Sequence, residues 1–161
     1  MNTMLNPQGR IGPVTFRNAA MILIAIGAIL TLLPLASASP SLMALSFVSL
    51  LLIYPWVVIW VKRLHDAGKS GWMFLVVLVL YLIASYASSL FISAQFAPAP
   101  APVANPNDLS AMMAGMAAQM RATALPSAIV SVVISLAFVF AGNALLRSDP
   151  APNAYDLPRT R

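Results

Sequence analysis

The only histidine of this 161-residue chain, His65, stands beside one of its four acids, Asp66. Both lie in the run Lys62-Arg63-Leu64-His65-Asp66-Ala67-Gly68-Lys69-Ser70-Gly71-Trp72, which also holds three of the nine Lys and Arg residues. An imidazole next to a carboxylate is the material of general acid–base catalysis, because histidine changes charge near neutral pH and a carboxylate can orient its ring. Arg63 and Lys69, with the free backbone amides that open a following helix, are the material of a phosphate or headgroup site. A third reading needs no ligand. Lys62 and Arg63 complement a helix C-terminus and snorkel, Gly68 suits a left-handed stop, Ser70 suits the next cap, and Trp72 anchors at an interface. Neighbours in sequence do not face each other on a helix, so a working His65–Asp66 pair requires an irregular loop. No second acid, metal cluster or nucleophile motif supports the pair. No catalytic residue, metal ligand or cofactor is therefore assigned, and a lipid-modifying enzyme using His65 stays as an alternative.

The elements that must position this run are apolar. Hydrophobic residues make up 60% of the chain and charged ones 8%, against about 25% charged in soluble domains. So few charges could not cover the apolar surface in water, and lipid must be the solvent for most of the chain. The net charge of +5 would suggest nucleic acid in a soluble protein. Here the cations are spread thinly at the ends of apolar runs, which excludes a basic stripe and points to anionic headgroups. Cysteine is absent, which removes disulfides, thiolate metal sites and Cys nucleophiles.

Three stretches lack Asp, Glu, Lys and Arg: 18–61, 70–107 and 122–146. A spanning helix needs about 20 apolar residues, so the first stretch holds two, with Pro34, the small residues Ala36-Ser37-Ala38-Ser39 and Pro40 marking their turn. The expected fold is an all-α polytopic bundle with helices at about 18–36, 41–61, 71–91 and 126–146, an outer loop at 95–125 and a tail at 147–161, in one membrane domain. Pro55 is expected to kink the second helix. With both termini inside, Arg10, Arg17, Lys62, Arg63, Lys69, Arg147, Arg159 and Arg161 lie on the inner side and only Arg121 outside, the asymmetry of the positive-inside rule. Trp56, Trp60 and Trp72 cluster near the inner end of helices two and three, as an interfacial belt would. Arg10 and Arg17, the first apolar run and Ala36-Ser37-Ala38 also resemble a cleavable signal peptide, although the apolar run is rather long for one.

In the outer loop Pro98, Pro100 and Pro102 alternate with alanine, which favours an extended chain. Asn107 or Asp108 can then cap a short periplasmic amphipathic helix whose Leu109, Met112, Met113, Met116 and Met120 share one face. Those thioethers are also soft ligands for Cu(I), without a His or Cys beside them. Ser127, Ser131 and Ser135 make a stripe on helix four, and helix three offers Ser85 and Ser89. Small residues of this kind serve close helix packing or line a pore. No charge lies within any span, where transporters usually spend one.

At Arg63-Leu64-His65-Asp66 and Ser70-Gly71-Trp72 the chain resembles the domain of unknown function 805 family of bacterial inner-membrane proteins, which includes the YhaH-like proteins. Its RLHD-x-G-x-SGW signature is complete here, with Ala67 and Lys69 at the variable places. Gly9-Arg10-Ile11 followed by Phe16 fits the family's N-terminal Gly-Arg element. Arg17 stands where an aromatic often follows. Asn153-Ala154-Tyr155 echoes a C-terminal motif in which Asp156 replaces a glycine. The resemblance implies a bacterial inner-membrane location and argues against signal cleavage. It implies no activity.

The sequence therefore leads to a small inner-membrane protein with both termini cytoplasmic. Its partners are expected to be membrane lipids, and it is expected to bind lipid headgroups or a partner protein through its cytoplasmic face. A homo-oligomer is an open possibility and nucleic acid is not expected. The candidate binding residues are Arg10, Arg63, His65, Asp66, Lys69, Ser70 and Trp72. A transporter or channel subunit with a serine-lined path is the main alternative.

Overall fold

A computed structural model describes residues 5–36, 47–99, 108–151 and 153–155. They form four α-helices: α1 (Pro13–Ala36), α2 (Ile53–Asp66), α3 (Phe74–Phe96) and α4 (Leu109–Leu145). Short 3-10 turns, Phe47–Leu52 and Gly71–Met73, lead into α2 and α3. Four segments are long and apolar enough to cross a membrane: Pro13–Ala36, Val48–Asp66, Gly71–Phe96 and Leu109–Leu145. The chain is a multi-pass membrane protein, all-helical among the described residues.

The helices run antiparallel in sequence order. At one end the Asn143 amide donates to the Pro13 carbonyl, joining the end of α4 to the start of α1. At the other, Arg121 Nε donates to the Pro34 carbonyl at 3.1 Å, joining α4 to the end of α1. Arg121 thus satisfies one of the carbonyls that every helix leaves unpaired at its C-terminus. The core gathers Phe16, Ala20 and Leu23 of α1, Ile59, Trp60 and Leu64 of α2, Phe74 of α3 and Val139 of α4. Phe16 meets Trp60 edge to face, with ring centroids 4.9 Å apart. α3 is the outlier: 6% of its apolar window is buried, and Leu75, Val79, Leu82 and Ile83 are exposed. In lipid this carries no penalty, because acyl chains solvate a leucine as well as a protein core does.

Several local expectations change. Pro55 does not kink a long second helix. The α-helix begins at Ile53, so Pro55 sits in its first turn, where a missing N–H leaves no bond unmade. The part of that helix placed at 41–46, the turn at 37–40, and Pro100, Pro102 and Asn107 lie outside the described residues. Pro126, expected to open the fourth span, lies inside α4. The segment 109–125 is rich in Ala and Met, both strong helix formers, so the amphipathic piece is helical but continuous with the span. Its 37 residues extend about 55 Å at about 1.5 Å per residue, well beyond a hydrocarbon core of about 30 Å.

Asp108 does cap this helix, accepting from the amides of Ser110 and Ala111. The Ser110 hydroxyl donates to the same carboxylate at 2.6 Å. These bonds, the Ser110 hydroxyl first, hold the Asp108 carboxyl below its usual range. A folded-state value below the unfolded one makes the cap complete above the ordinary carboxylate range, and the cap is lost as pH falls through the lowered value. Amide exchange at Ser110 and Ala111 should accelerate only in that acid window, relative to the mid-helix trend. An Asp108→Ala variant should exchange fast at every pH.

Trp60 also packs on Gly142, where a Cβ would overlap the indole ring. A Gly142→Ala variant should lose about 1–3 kcal/mol of stability through overpacking, read as a lowered melting temperature in detergent. At Gly115, where a Cβ would meet nothing within 4 Å, the same substitution should be neutral or stabilising.

Candidate functional site

α2 ends in a Schellman turn: Lys69 N–H donates to the Leu64 carbonyl at 2.8 Å and Gly68 N–H to that of His65 at 3.1 Å. The turn needs a left-handed residue, which Gly68 supplies at φ 66°. Ser70 then caps the Gly71–Met73 turn by accepting from Trp72 N–H. Gly71 has a different reason. A Cβ there would press on Val61 Cγ1 at 3.0 Å and His65 Nε2 at 3.1 Å, so its absence lets the start of α3 close on α2.

Arg63 is the hub of this end, with 1% of its surface exposed. Its Nε donates to Asn143 Oδ1 at 3.1 Å. One terminal nitrogen donates to Asp66 Oδ2 at 2.6 Å and to Ser148 Oγ at 3.3 Å. The other donates to the Leu146 carbonyl, just past the end of α4. Ser148 Oγ donates to Asp66 Oδ2 at 2.5 Å, and Asp149 N–H to the Asp66 carbonyl at 2.7 Å. Arg10 approaches Asp66 Oδ1 from the N-terminal side at 3.6 Å. It also donates to the carbonyls of Asp149 and Ala151. A charge buried in low dielectric is tolerable only when paired and fully hydrogen-bonded, and Arg63 and Asp66 satisfy each other and four further groups.

His65 takes the other side of α2. Its Nδ1 lies 3.3 Å from the buried Gly9 carbonyl, so the Nδ1-protonated tautomer donates there. Its ring stacks on Tyr155, with centroids 3.8 Å apart and planes 2° from parallel. Asn153 Nδ2 donates to the His65 carbonyl at 3.2 Å. The Gly9-Arg10 element, the 62–72 run and the Asn153–Tyr155 tail therefore meet in one cluster.

The cluster sorts the candidate residues. Arg63 and Asp66 are buried and turned on each other. Arg10 is tied to Asp66 and the tail. His65 and Asp66 face different partners, so they do not form an imidazole–carboxylate couple. Lys69, Ser70 and Trp72 stay exposed, Trp72 at 80%. Lys62, expected to snorkel, is buried to 1% exposure, and its ammonium has no hydrogen bond or ion pair among the described residues. Trp60, expected in an interfacial belt, is buried in the core, and Trp56 is partly buried against it.

The partners that complete the cluster, Asn143, Ser148 and the Leu146 carbonyl, lie about 80 residues away in sequence. Asn143 carried the one available signal, a lone amide in an apolar helix. Among the described residues no group of three or more His, Cys, Asp or Glu side chains could hold a metal. Residues 4–157 match the model of a family described as "Protein of unknown function (DUF805)". No curated protein and no solved structure matches.

Replacing Arg63 with methionine should destabilise the protein by about 3–5 kcal/mol, since Asp66 is left buried with only the more distant Arg10 as cation. Arg63→Lys should rescue little, because a single ammonium cannot reproduce donors fanned toward α4, the tail and Asp66. Thermal melting in detergent reads both. Proteolysis of the C-terminal tail should speed up in parallel, and a tail protected as in wild type would contradict the assignment of Arg63 as its anchor.

Proposed function

The chain belongs to the DUF805 family, and from that premise and the charge gathered at one end of its bundle we propose that it is a small bacterial inner-membrane protein that binds anionic lipid headgroups at its cytoplasmic face. The observation that carries this reading is a charge imbalance. Among the described residues, Arg10, Arg17, Lys62, Arg63, Lys69 and Arg147 lie at the end where α1 starts and α4 stops. Only two carboxylates, Asp66 and Asp149, lie with them, a surplus of four positive charges before His65 is counted. Arg121 is the one described cation at the opposite end. The positive-inside rule places the rich end in the cytoplasm.

The surplus is distributed in a way that favours recognition over simple neutralisation. Arg63 is consumed internally, whereas Arg17, Lys69 and Arg147 are exposed, and Trp72 stands beside Lys69 as a membrane-interface aromatic. Lys62 has no counter-charge within the described chain. Each cation held near an anionic leaflet contributes about 1 kcal/mol. Transport has less support, since among the described residues no Asp, Glu, Lys, Arg or His lines the cavity that runs from Leu23 and Trp60 to Ser131.

Reconstituted into vesicles mixing phosphatidylglycerol with phosphatidylcholine, the wild-type protein should retain phosphatidylglycerol preferentially in native mass spectrometry. Combining Arg17→Ala, Lys69→Ala and Arg147→Ala should abolish that preference with little change in melting temperature, because none of the three joins the buried cluster. Undiminished phosphatidylglycerol retention in the triple variant would overturn the reading.

A further inference from the structure

A cavity of about 290 Å³ lies between the four helices, lined by side chains from each of them. Its depth follows from the helical rise. Trp60 is six residues before the end of α2, and Ser131 is fourteen before the end of α4. At about 1.5 Å per residue they sit about 9 and 21 Å from the charged end, so the cavity occupies the hydrocarbon layer. Its walls are mainly aliphatic and aromatic, including Leu23, Leu52, Val77 and Phe138.

Four of the five hydroxyls that line it, all but that of Ser49, are already bonded. Tyr81 and Ser135 bond each other at 3.2 Å, Thr31 bonds the Gly27 carbonyl, and Ser131 bonds the Ala128 carbonyl. They therefore ask nothing of an occupant, and water would find few open partners. One polar group is different. Trp60 lines the cavity at 4% exposure, and its indole N–H has no acceptor among the described residues. A buried indole N–H usually finds one. Gly27 supplies a second observation: it lines the cavity, and a Cβ built on it meets nothing within 4 Å. A glycine inside a helix costs about 1 kcal/mol relative to alanine, and here it leaves space open.

We propose that this cavity holds one acyl chain of a membrane lipid, its methylenes running past Gly27 and over the Trp60 ring. The volume, near the low end of the about 300–1,000 Å³ of ordinary ligand sites, admits one chain and leaves the headgroup outside. The side facing lipid is the N-terminal part of the second span, where half-buried Ser49 and exposed Ile53 border the cavity. The site does not depend on the cations of the charged end.

The test uses the full-length protein in phosphatidylcholine vesicles containing phosphatidylcholine with a mid-chain diazirine on one acyl chain. After photolysis, label should concentrate on the cavity residues Gly27, Thr31, Ser135 and Phe138, above the outward residues Leu75, Val79 and Leu82. Gly27→Leu, which puts a side chain into that open space, should reduce the cavity label about tenfold while leaving the outward label unchanged, and Gly27→Ala, whose Cβ meets nothing within 4 Å, should melt no lower than wild type. Competition by unlabelled fatty acid identifies a free acid as the source, and its failure identifies a phospholipid. Label that follows outward exposure alone, or cavity label unchanged by Gly27→Leu, overturns the site. Because the probe lipid is zwitterionic, loss of headgroup preference at the charged end would not alter this result.

Discussion

A guanidinium withdrawn from water has to be answered by acceptors on every side, and the charged end of this bundle is built around that demand. Arg63 makes bonds to α4, to the chain beyond α4 and to its own helix through Asp66. Arg10 adds the N-terminal segment through the same carboxylate. Helix packing alone has little driving force in lipid, where an aliphatic side chain is as well solvated by acyl chains as by another helix. Directional polar contacts therefore carry a larger share of the specification than in a soluble core. Here they fix which helix ends meet and tie both termini to one loop.

The same device appears once at the far end. Arg121 donates to the Pro34 carbonyl, so an arginine from one helix closes the open C-terminus of another at both ends of the bundle. Between those ends no charge was needed, because a helix satisfies its own backbone in hydrocarbon.

The distribution of contacts explains what could be read from sequence. Spans and connectivity were legible because bilayer thickness and helical rise set a length that the uncharged runs display. Gly68 and Ser70 were legible because a left-handed stop and a cap are local requirements, met within a few residues. The partners of Arg63 were not, since Asn143 and Ser148 reach it only through tertiary packing. A helix-ending cation that snorkels and one that turns inward have the same local sequence, so the burial of Lys62 and Arg63 was hidden too. Trp60 failed for a related reason. Its place near a helix end suggested the interface, but Gly142 opens a slot for the ring that no local pattern announces. Pro126 misled because proline in a membrane helix can be absorbed when the flanking residues favour helix strongly enough.

The tight charged end and the open middle are connected. Trp60 brings α2 against α4 at Gly142, at nearly the same level as the Arg63–Asn143 bond. The second span gives up regular α-helix before Ile53, where the 3-10 turn Phe47–Leu52 takes over, and a 3-10 turn is slimmer and rises faster per residue. The slimmer turn withdraws side chains from the middle of the bundle. In a soluble protein a gap of this size would tend to collapse or cost stability in proportion to its volume. In a bilayer the surrounding medium is itself made of chains that fit such a gap, so the cost of the void falls as soon as one enters. The residues that clamp the helix ends together therefore leave, one or two turns deeper, a space whose natural solvent is lipid.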